Sequence, residues 1–362
     1  MISVIIPTYN EAVVIEETLR RAAAALRSAS ESFELVVVDD ASADGTAERA
    51  ESLANEIPVR VLRRPGRLGL ATAVMDGWAR AQGDVLGVMD ADLQHPPETL
   101  IALAAAIRQG ADLAIGSRYV PGGGTFDWNL ARRIVSRVAM HMAATVLPLK
   151  IAAVRDAGSG LFMVRASGLR GADLNPLGYK VLLEVLAKTD QMRAVEVPYV
   201  FQKRERGASK LGLRQYLEYL LHLARLAVTT GQLYAGIRYA LVALVGALID
   251  VGLIYFLVHR AGWPPLAATP SAIGLAVGSN FLGNDLFTFS PAWTLEPRRR
   301  FLARAFRYGA VCLPGGVLNA LVTLVLISQG ADVLVSAATG VVAGGVLNLL
   351  FNIPSIWRAW TP

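Results

Sequence analysis

Two rhythms divide the chain. Up to about residue 210, short runs of Val, Ile and Leu alternate with longer segments rich in Ala, Leu and Arg; beyond it the apolar runs lengthen and the alternation stops. The short runs at residues 2–6, 34–38, 59–62, 84–89 and 112–115 predict buried strands. Residues 11–29, 45–54, 70–81 and 97–109 predict the helices between them. Strands alternating with helices of this length build βαβ units and a mostly parallel sheet. In such sheets ligands bind outside the carboxyl ends of the strands, so the residues just after each strand are the first candidates for chemistry.

The second rhythm predicts membrane spans. Residues 239–258 contain one charge, Asp250, and residues 266–289 contain one, Asp285; residues 308–328 and 333–357 contain none. Each run is long enough to cross a bilayer, which takes roughly 20 residues, so four transmembrane helices are expected. The link between the second and third runs carries Arg298, Arg299, Arg300, Arg304 and Arg307, whereas residues 329–332 carry no cation. Positive-inside logic puts both termini and the arginine link in the cytoplasm of a cell-membrane protein, with His259 and Arg260 a minor exception. The first residues lack a basic region and a long apolar run, so no signal peptide is expected.

The spans also repeat. Arg238-Tyr239-Ala240-Leu241 through Gly246 matches Arg307-Tyr308-Gly309-Ala310 through Gly315, 69 positions later, and Asn280 and Asn284 recur as Asn348 and Asn352, 68 positions later. Two matched hairpins entering from one side would form a parallel repeat; chance likeness among apolar helices is the alternative. Ahead of the spans, Arg214, Glu218, His222 and Arg225 fall on one helical stripe, with Leu213, Tyr216, Leu217, Leu220, Leu221 and Leu223 around it. This predicts an amphipathic helix lying among lipid headgroups, the alternative being a helix docked on the preceding domain. The organisation read from these patterns is residues 1–210, an interfacial segment 211–235, and a four-helix membrane domain 236–362.

Composition narrows the class. Hydrophobic residues make up 54% and charged residues 18%, which excludes a disordered chain and exceeds what an ordinary soluble enzyme carries. Cys312 is the single cysteine, so an intramolecular disulfide and a cysteine-built zinc cluster are excluded. The net charge of +6 is modest; concentrated at one place, it suits a phosphate-rich ligand or an anionic membrane face.

The strongest candidate chemistry is Asp90-Ala91-Asp92-Leu93-Gln94-His95-Pro96-Pro97, directly after an apolar strand. Two carboxylates one residue apart at a strand end can share a divalent cation, with the Gln94 carbonyl as a further hard ligand. A diphosphate leaving group needs such a cation. The competing reading makes Asp92 a cap of the next helix, and His95 is expected to be structural. Two earlier strand ends, Pro7-Thr8-Tyr9-Asn10-Glu11 and Asp39-Asp40-Ala41-Ser42-Ala43-Asp44, point at the same edge. Asp39 can accept from a base N–H and Tyr9 can pack on the ring, while Asn10, Ser42 and Asp44 are expected as helix caps. Arg118, Arg132, Arg133, Arg155, Arg204, Arg206 and Lys210 suggest a basic clamp for phosphates at the bilayer surface.

These pieces, with Gly116-Ser117-Arg118-Tyr119, Asp156 and Gly158-Ser159-Gly160, together resemble glycosyltransferase family 2 over residues 2 to about 210. Within that family the chain looks most like the polyprenyl-phosphate glycosyltransferases, the dolichol-phosphate mannose synthases among them. The remainder resembles the GtrA-like four-helix membrane family, although Asn284-Asp285 departs from the Asn-Arg usual there. The resemblance implies a GT-A, Rossmann-like α/β fold followed by an all-α membrane domain. It implies inverting transfer of one hexose to a polyprenyl or dolichyl phosphate, from GDP-mannose by preference and UDP-glucose second, with Mg²⁺ or Mn²⁺ as cofactor. Membrane lipids are expected partners and nucleic acid is not.

Residue by residue, the resemblance implies that Asp90, Asp92 and Gln94 hold the metal. Pro7, Tyr9, Glu11, Val38, Asp39, Asp40, Ala91, Lys180 and Arg204 join them around the nucleotide sugar. Ser117, Arg118, Arg132, Arg133, Arg206 and Lys210 meet the acceptor phosphate. Asp156 matches the position that orients or activates the acceptor, with Asp92 and Arg118 completing the catalytic set. Two rivals stand beside this reading. A processive polysaccharide synthase would carry Gln-x-x-Arg-Trp, and Gln202–Arg206 is followed by no tryptophan; the other rival is a fused enzyme whose membrane half flips the lipid-linked sugar.

Overall fold

The computed structural model describes residues 1–29, 31–126, 128, 130–147, 151, 154–189, 192–203, 213–288 and 301–357. Its contacts divide the chain into two units, Met1–Ala143 with Val154–Leu226, and Ala144–Ala153 with Ala227–Pro362.

The first unit is built on a seven-stranded sheet. Its strands are β1 (Ile2–Thr8), β2 (Phe33–Asp39), β3 (Val59–Arg63), β4 (Val85–Val88), β5 (Leu113–Ser117), β7 (Phe162–Arg165) and β8 (Ala194–Pro198), in the order β3-β2-β1-β4-β7-β5-β8. All neighbours are parallel except β7, which runs antiparallel to both β4 and β5. A separate short pair joins β6 (Gly124–Thr125) to β9 (Val200–Phe201). The chain winds outward from β1 to β3 and then crosses back to β4, so the crevice between β1 and β4 is the switch point where such folds bind ligands.

Strands β1, β2, β4 and β5 form because they are apolar on both faces and each face is covered, whereas β3, at the edge of the sheet, carries Arg60 and Arg63 and is only half-buried. Val4, Ile5 and Ile6 are fully buried, as are Leu35 to Val38. Helix α1 (Ile15–Ser28) covers one face with Ile15, Leu19, Ala22, Ala23 and Leu26, a helical-period stripe. The other face takes α3 (Leu70–Arg80), which comes so near that a Cβ on Gly77 would lie 2.7 Å from Ile5 Cγ2. Helices α2 (Thr46–Ser52) and α4 (Thr99–Arg108) complete the layers. Each buried Ile or Leu contributes about 1.5–3 kcal/mol.

Three further helices follow: α5 (Leu130–Val146), α6 (Val181–Lys188) and α7 (Leu213–Thr229). The stripe expected to face headgroups through His222 turns out differently. His222 is wholly buried, with Nε2 2.6 Å from Glu184 Oε2 on α6, and Tyr219 OH donates to the Ala139 carbonyl at 2.5 Å. Leu223 and Leu226 are buried beside them, while Leu217, Leu220 and Leu221 stay 43–62% exposed. A buried carboxylate needs partners, and the Glu184–His222 contact supplies one; hence α7 docks by its histidine side and presents leucines outward.

Glu184 also accepts from Lys188 Nζ at 2.7 Å and from the Asn175 N–H at 3.0 Å. Burial opposes its charge, but the bonds from His222, Lys188 and Asn175 win and hold its pKa down to about 2. The carboxylate therefore stabilises the fold above about pH 4.5, and that contribution is lost as pH falls toward about 2. Glu184→Gln is expected to lose roughly 3 kcal/mol at neutral pH. In thermal melts the gap to the parent should narrow steadily below pH 4.5; a constant gap would show that charge plays no part.

The second unit contains α8 (Gln232–His259), α9 (Pro265–Gly283) continued by a wide turn at Asn284–Thr288, α10 (Phe301–Ser328) and α11 (Val333–Trp357). Among the described residues two stretches, Gly236–His259 and Phe301–Ser328, are long and apolar enough to cross a membrane. Helix α9 is diluted by Thr269, Pro270, Ser271 and Asn280. The arginines at 298–300 lie outside the described residues.

Candidate active site

A cavity of about 800 Å³ opens in the first unit at the carboxyl ends of β1 and β4. Of the residues implicated by sequence, Pro7, Tyr9, Glu11, Asp40, Asp90, Ala91, Asp92, Gln94, Arg118, Arg132 and Lys180 line it. Val38, Asp39, Ser117 and Asp156 are buried behind the wall, and Arg133 is exposed on α5 without reaching it. Arg204, Arg206 and Lys210 lie outside the described residues.

The β1 and β2 ends are stitched together. Asp39 stands beside Thr8 in the ladder and accepts from Thr8 Oγ1 (2.9 Å), Ser42 N–H (2.9 Å) and Ser42 Oγ (2.6 Å). Of the helix caps expected of Asn10, Ser42 and Asp44, the structure shows only a contact of that kind from Asp44, whose Oδ1 accepts from the N–H of Thr46, the first residue of α2, at 3.1 Å. Helices α1 and α2 start at Val14 and Gly45, which themselves form no side-chain cap. Instead, Asn10 Oδ1 accepts from Ala43 N–H, Ser42 Oγ from Asn10 N–H, and Asp44 from Ala12 N–H. These residues join two loops, because the loops meet where the strands end together. Asn10, Ala41 and Leu93 each sit at a left-handed backbone angle (φ +55° to +60°), and each follows a strand that ends at the cavity.

Asp40 secures the next segment. Its carboxylate accepts from Arg64, Leu68 N–H and Gly69 N–H at 2.7–2.8 Å. That holds the turn carrying Arg67, whose guanidinium lies 4.2 Å over the Tyr9 ring on the cavity wall. Sequence reasoning missed Arg67, although it too follows a strand end, that of β3.

After β4, Asp92 Oδ1 accepts from Gln94 N–H at 3.1 Å in a tight turn, and helix α4 begins well beyond it, so Asp92 does not cap that helix. Asp90 is 35% exposed toward the cavity. Gln94 Nε2 donates to the Gln202 carbonyl at 3.1 Å, which fixes the amide and assigns Oε1 as its remaining ligand atom. His95 is buried against Tyr199 and Phe201 and accepts from Asp90 N–H through Nδ1. Burial pushes its pKa down to about 4, so it is neutral and structural at ordinary pH. Gly160 leaves room for this arrangement, since a Cβ there would lie 3.0 Å from the His95 ring and 3.2 Å from Asp90 Oδ2.

Among the described residues no three His, Cys, Asp or Glu side chains cluster to form a complete metal cage. Two carboxylates and an amide oxygen nevertheless fit a small hard cation that takes its other ligands from phosphate and water, as Mg²⁺ commonly does.

The same cavity also carries cations. Arg118 donates through Nε and a terminal nitrogen to the two oxygens of Asp156, at 2.8 and 2.6 Å, and its own N–H joins at 2.9 Å. Burial works against the arginine's charge, but this fork raises its pKa above the ordinary value. Asp156 is fully buried and both its oxygens face Arg118, so in the structure it orients that arginine. Two guanidinium groups stand near the Trp128 ring, that of Arg118 at 5.4 Å and that of Arg132 at 4.4 Å from its centre. Lys180 Nζ donates to the Gly158 carbonyl at 2.5 Å, and burial together with Arg118 lowers its pKa to about 8. One cavity thus holds carboxylates, Asp90 and Asp92 among them, together with the cations Arg67, Arg118, Arg132 and Lys180.

That charge pattern on a doubly wound sheet suits a phosphorylated ligand with a cation, and sequence comparison assigns the chain more closely. Glycosyl transferase family 2 matches residues 3–169, and the GtrA/DPMS transmembrane domain matches residues 238–357. A dolichol-phosphate mannosyltransferase of Pyrococcus furiosus is 38% identical over 356 residues, covering 98% of this chain and 99% of that protein. The dolichol-phosphate mannosyltransferase of Saccharomyces cerevisiae is 39% identical over 62% of this chain and 86% of its own length. An undecaprenyl-phosphate mannosyltransferase of Micrococcus luteus is 41% identical over 57% and 86%. The chain belongs to glycosyl transferase family 2, as a glycosyltransferase whose catalytic domain is joined to a GtrA/DPMS transmembrane domain.

Proposed function

We propose that this membrane glycosyltransferase moves one mannose from GDP-mannose to a polyprenyl or dolichyl phosphate, with inversion, at the cytoplasmic face of the cell membrane. The observation that carries the reading is the one cavity that Asp90, Asp92, Arg118, Arg132 and Lys180 line together. Asp90, Asp92 and Gln94 would hold Mg²⁺ or Mn²⁺, which when bound neutralises charge on the departing diphosphate. Tyr9, Glu11 and the Asp39–Asp40 edge would receive the nucleoside. Arg118 and Arg132, set by Asp156 and Trp128, would hold the acceptor phosphate. Arg204, Arg206 and Lys210 would add cations from the segment before α7.

The chemistry asks little of a base. A phosphate monoester has its second pKa near 6, so at pH 7 it is already mostly a dianion and needs no proton removed before it attacks. Its oxygen forms the new bond to the anomeric carbon as the bond to the diphosphate breaks, and the diphosphate leaves with the electron pair. The work of the protein is to place the two anions in line across the sugar. Lys180, near Asp90 and Arg118, is suited to the phosphate next to the breaking bond.

The reading is tested by offering radiolabelled GDP-mannose, GDP-glucose, UDP-glucose and UDP-mannose to the full-length protein with undecaprenyl or dolichyl phosphate in lipid. Label is expected in lipid from GDP-mannose alone. Transfer only from UDP-glucose would overturn the donor, and no lipid product from any donor would overturn the acceptor.

A further inference from the structure

We propose that the membrane unit is one helical hairpin present twice, and that its two copies dock as a pseudo-twofold pair centred on Asp250 and Asn319. The docking face of each hairpin thus takes a second hairpin of the same pattern. This stands independently of the transfer reaction.

The sequence offset supplies the equivalences. With Arg238 to Gly246 matched to Arg307 to Gly315, 69 positions on, Asp250 is equivalent to Asn319. The structure then supplies three tests that the offset could have failed. First, α8 packs on α11 and α9 on α10 to closely similar extents, so the first helix of each hairpin meets the second helix of the other. That reciprocity defines an isologous interface, in which residue i meets j and j meets i.

Second, the same close contact is built in both hairpins. A Cβ on Gly246 would overlap the Asn280 side-chain amide, and a Cβ on Gly315 would overlap that of Asn348. Small residues at these places let the helices of each hairpin approach closely without lipid between them.

Third, a residue that touches its own equivalent must lie on the axis, and Asn319 Nδ2 donates to Asp250 Oδ2 at 2.7 Å. Both side chains are buried, 3% and 6% exposed. At this pair an exact duplication of Asp250 would fail, since two carboxylates face to face would repel. Carboxylate against amide gives an acceptor a donor. Thr323 Oγ1 supports the arrangement by donating to Asn319 Oδ1 at 3.1 Å. One buried polar pair in an apolar interface is a known way to fix register, because any sliding leaves both groups unsatisfied.

The test uses the full-length protein in bicelles, with folded fraction read through reversible detergent unfolding. Asn319→Asp is expected to lower the folded-to-unfolded ratio at least about tenfold, and Asp250→Asn, which keeps a donor and an acceptor, much less. The deciding variant exchanges the two residues, Asp250→Asn with Asn319→Asp. The two positions are equivalent about a pseudo-twofold axis, and Thr323 Oγ1 can donate to a carboxylate at 319 as it does to the amide, so the exchange should return the ratio to within about threefold of the parent. If Asn319→Asp alone yields no folded protein, recovery of monodisperse protein by the exchange reads the same result. An exchange as damaging as Asn319→Asp would overturn the proposal. So would Gly246→Leu and Gly315→Leu differing by more than about tenfold, since equivalent contacts should fail alike.

Discussion

Asp156→Ala is expected to destabilise the first unit by about 3–5 kcal/mol, because it leaves the Arg118 guanidinium buried with no carboxylate to meet it. Asp156 is fully buried, Arg118 retains 7% of its side-chain surface, and the fork between them closes at 2.6 and 2.8 Å. The loss should appear as a lowered unfolding midpoint of the catalytic domain in denaturant titration. Asp156→Asn keeps the shape and one acceptor, so it should lose less stability. It should still release the guanidinium from its set position, raising the acceptor KM while donor binding changes little. If Asp156→Asn instead abolished turnover with normal KM values for both substrates, the carboxylate would act in the chemical step rather than through Arg118.

Removing either carboxylate after β4 should have the largest effect on turnover. Asp92→Ala and Asp90→Ala are each expected to lower kcat by roughly two to three orders of magnitude, the scale of a lost charge-stabilising contact in a dry site. Neither residue belongs to the hydrophobic core, so far-UV circular dichroism and the unfolding midpoint should stay near the parent's. Excess chelator should abolish transfer by the parent, and added Mg²⁺ or Mn²⁺ should restore it. Undiminished transfer in chelator would falsify the assignment of these side chains to a metal.

The sheet was legible because β1, β2, β4 and β5 are apolar on both faces, as burial on both faces requires, and β3 showed through Val59, Val61 and Leu62. The strand β7 was not, being four residues placed antiparallel between β4 and β5 by a chain excursion of some length. Strand β8, with Glu196 in its middle, is apolar on one face only and short. Strand-end position brings Asp90, Asp92, Tyr9 and Arg118 to one cavity. What it could not supply was pairing across sequence. Arg118 and Asp156 stand 38 positions apart and meet only because the loop before β7 returns beneath the end of β5. For the same reason His222, polar on a helical wheel, was assigned to the wet side. Its partner Glu184 lies on a different helix, and helical periodicity does not see across helices.

The left-handed turns at Asn10, Ala41 and Leu93 bear on how this enzyme can be made to tolerate heat. A non-glycine residue held at such angles costs on the order of 1 kcal/mol each, and glycine would adopt them freely. Asn10 and Ala41 are exposed and Leu93 is buried, so a search for hardier variants can reach the first two without disturbing packing. Yet these same turns set the angle at which three strand ends present their side chains. Glycine would also enlarge the range of shapes open to the unfolded chain and to the rim itself. Thermal tolerance gained there would be drawn from the stiffness of the catalytic edge, which makes the core and the exposed leucines of α7 better ground for stabilisation.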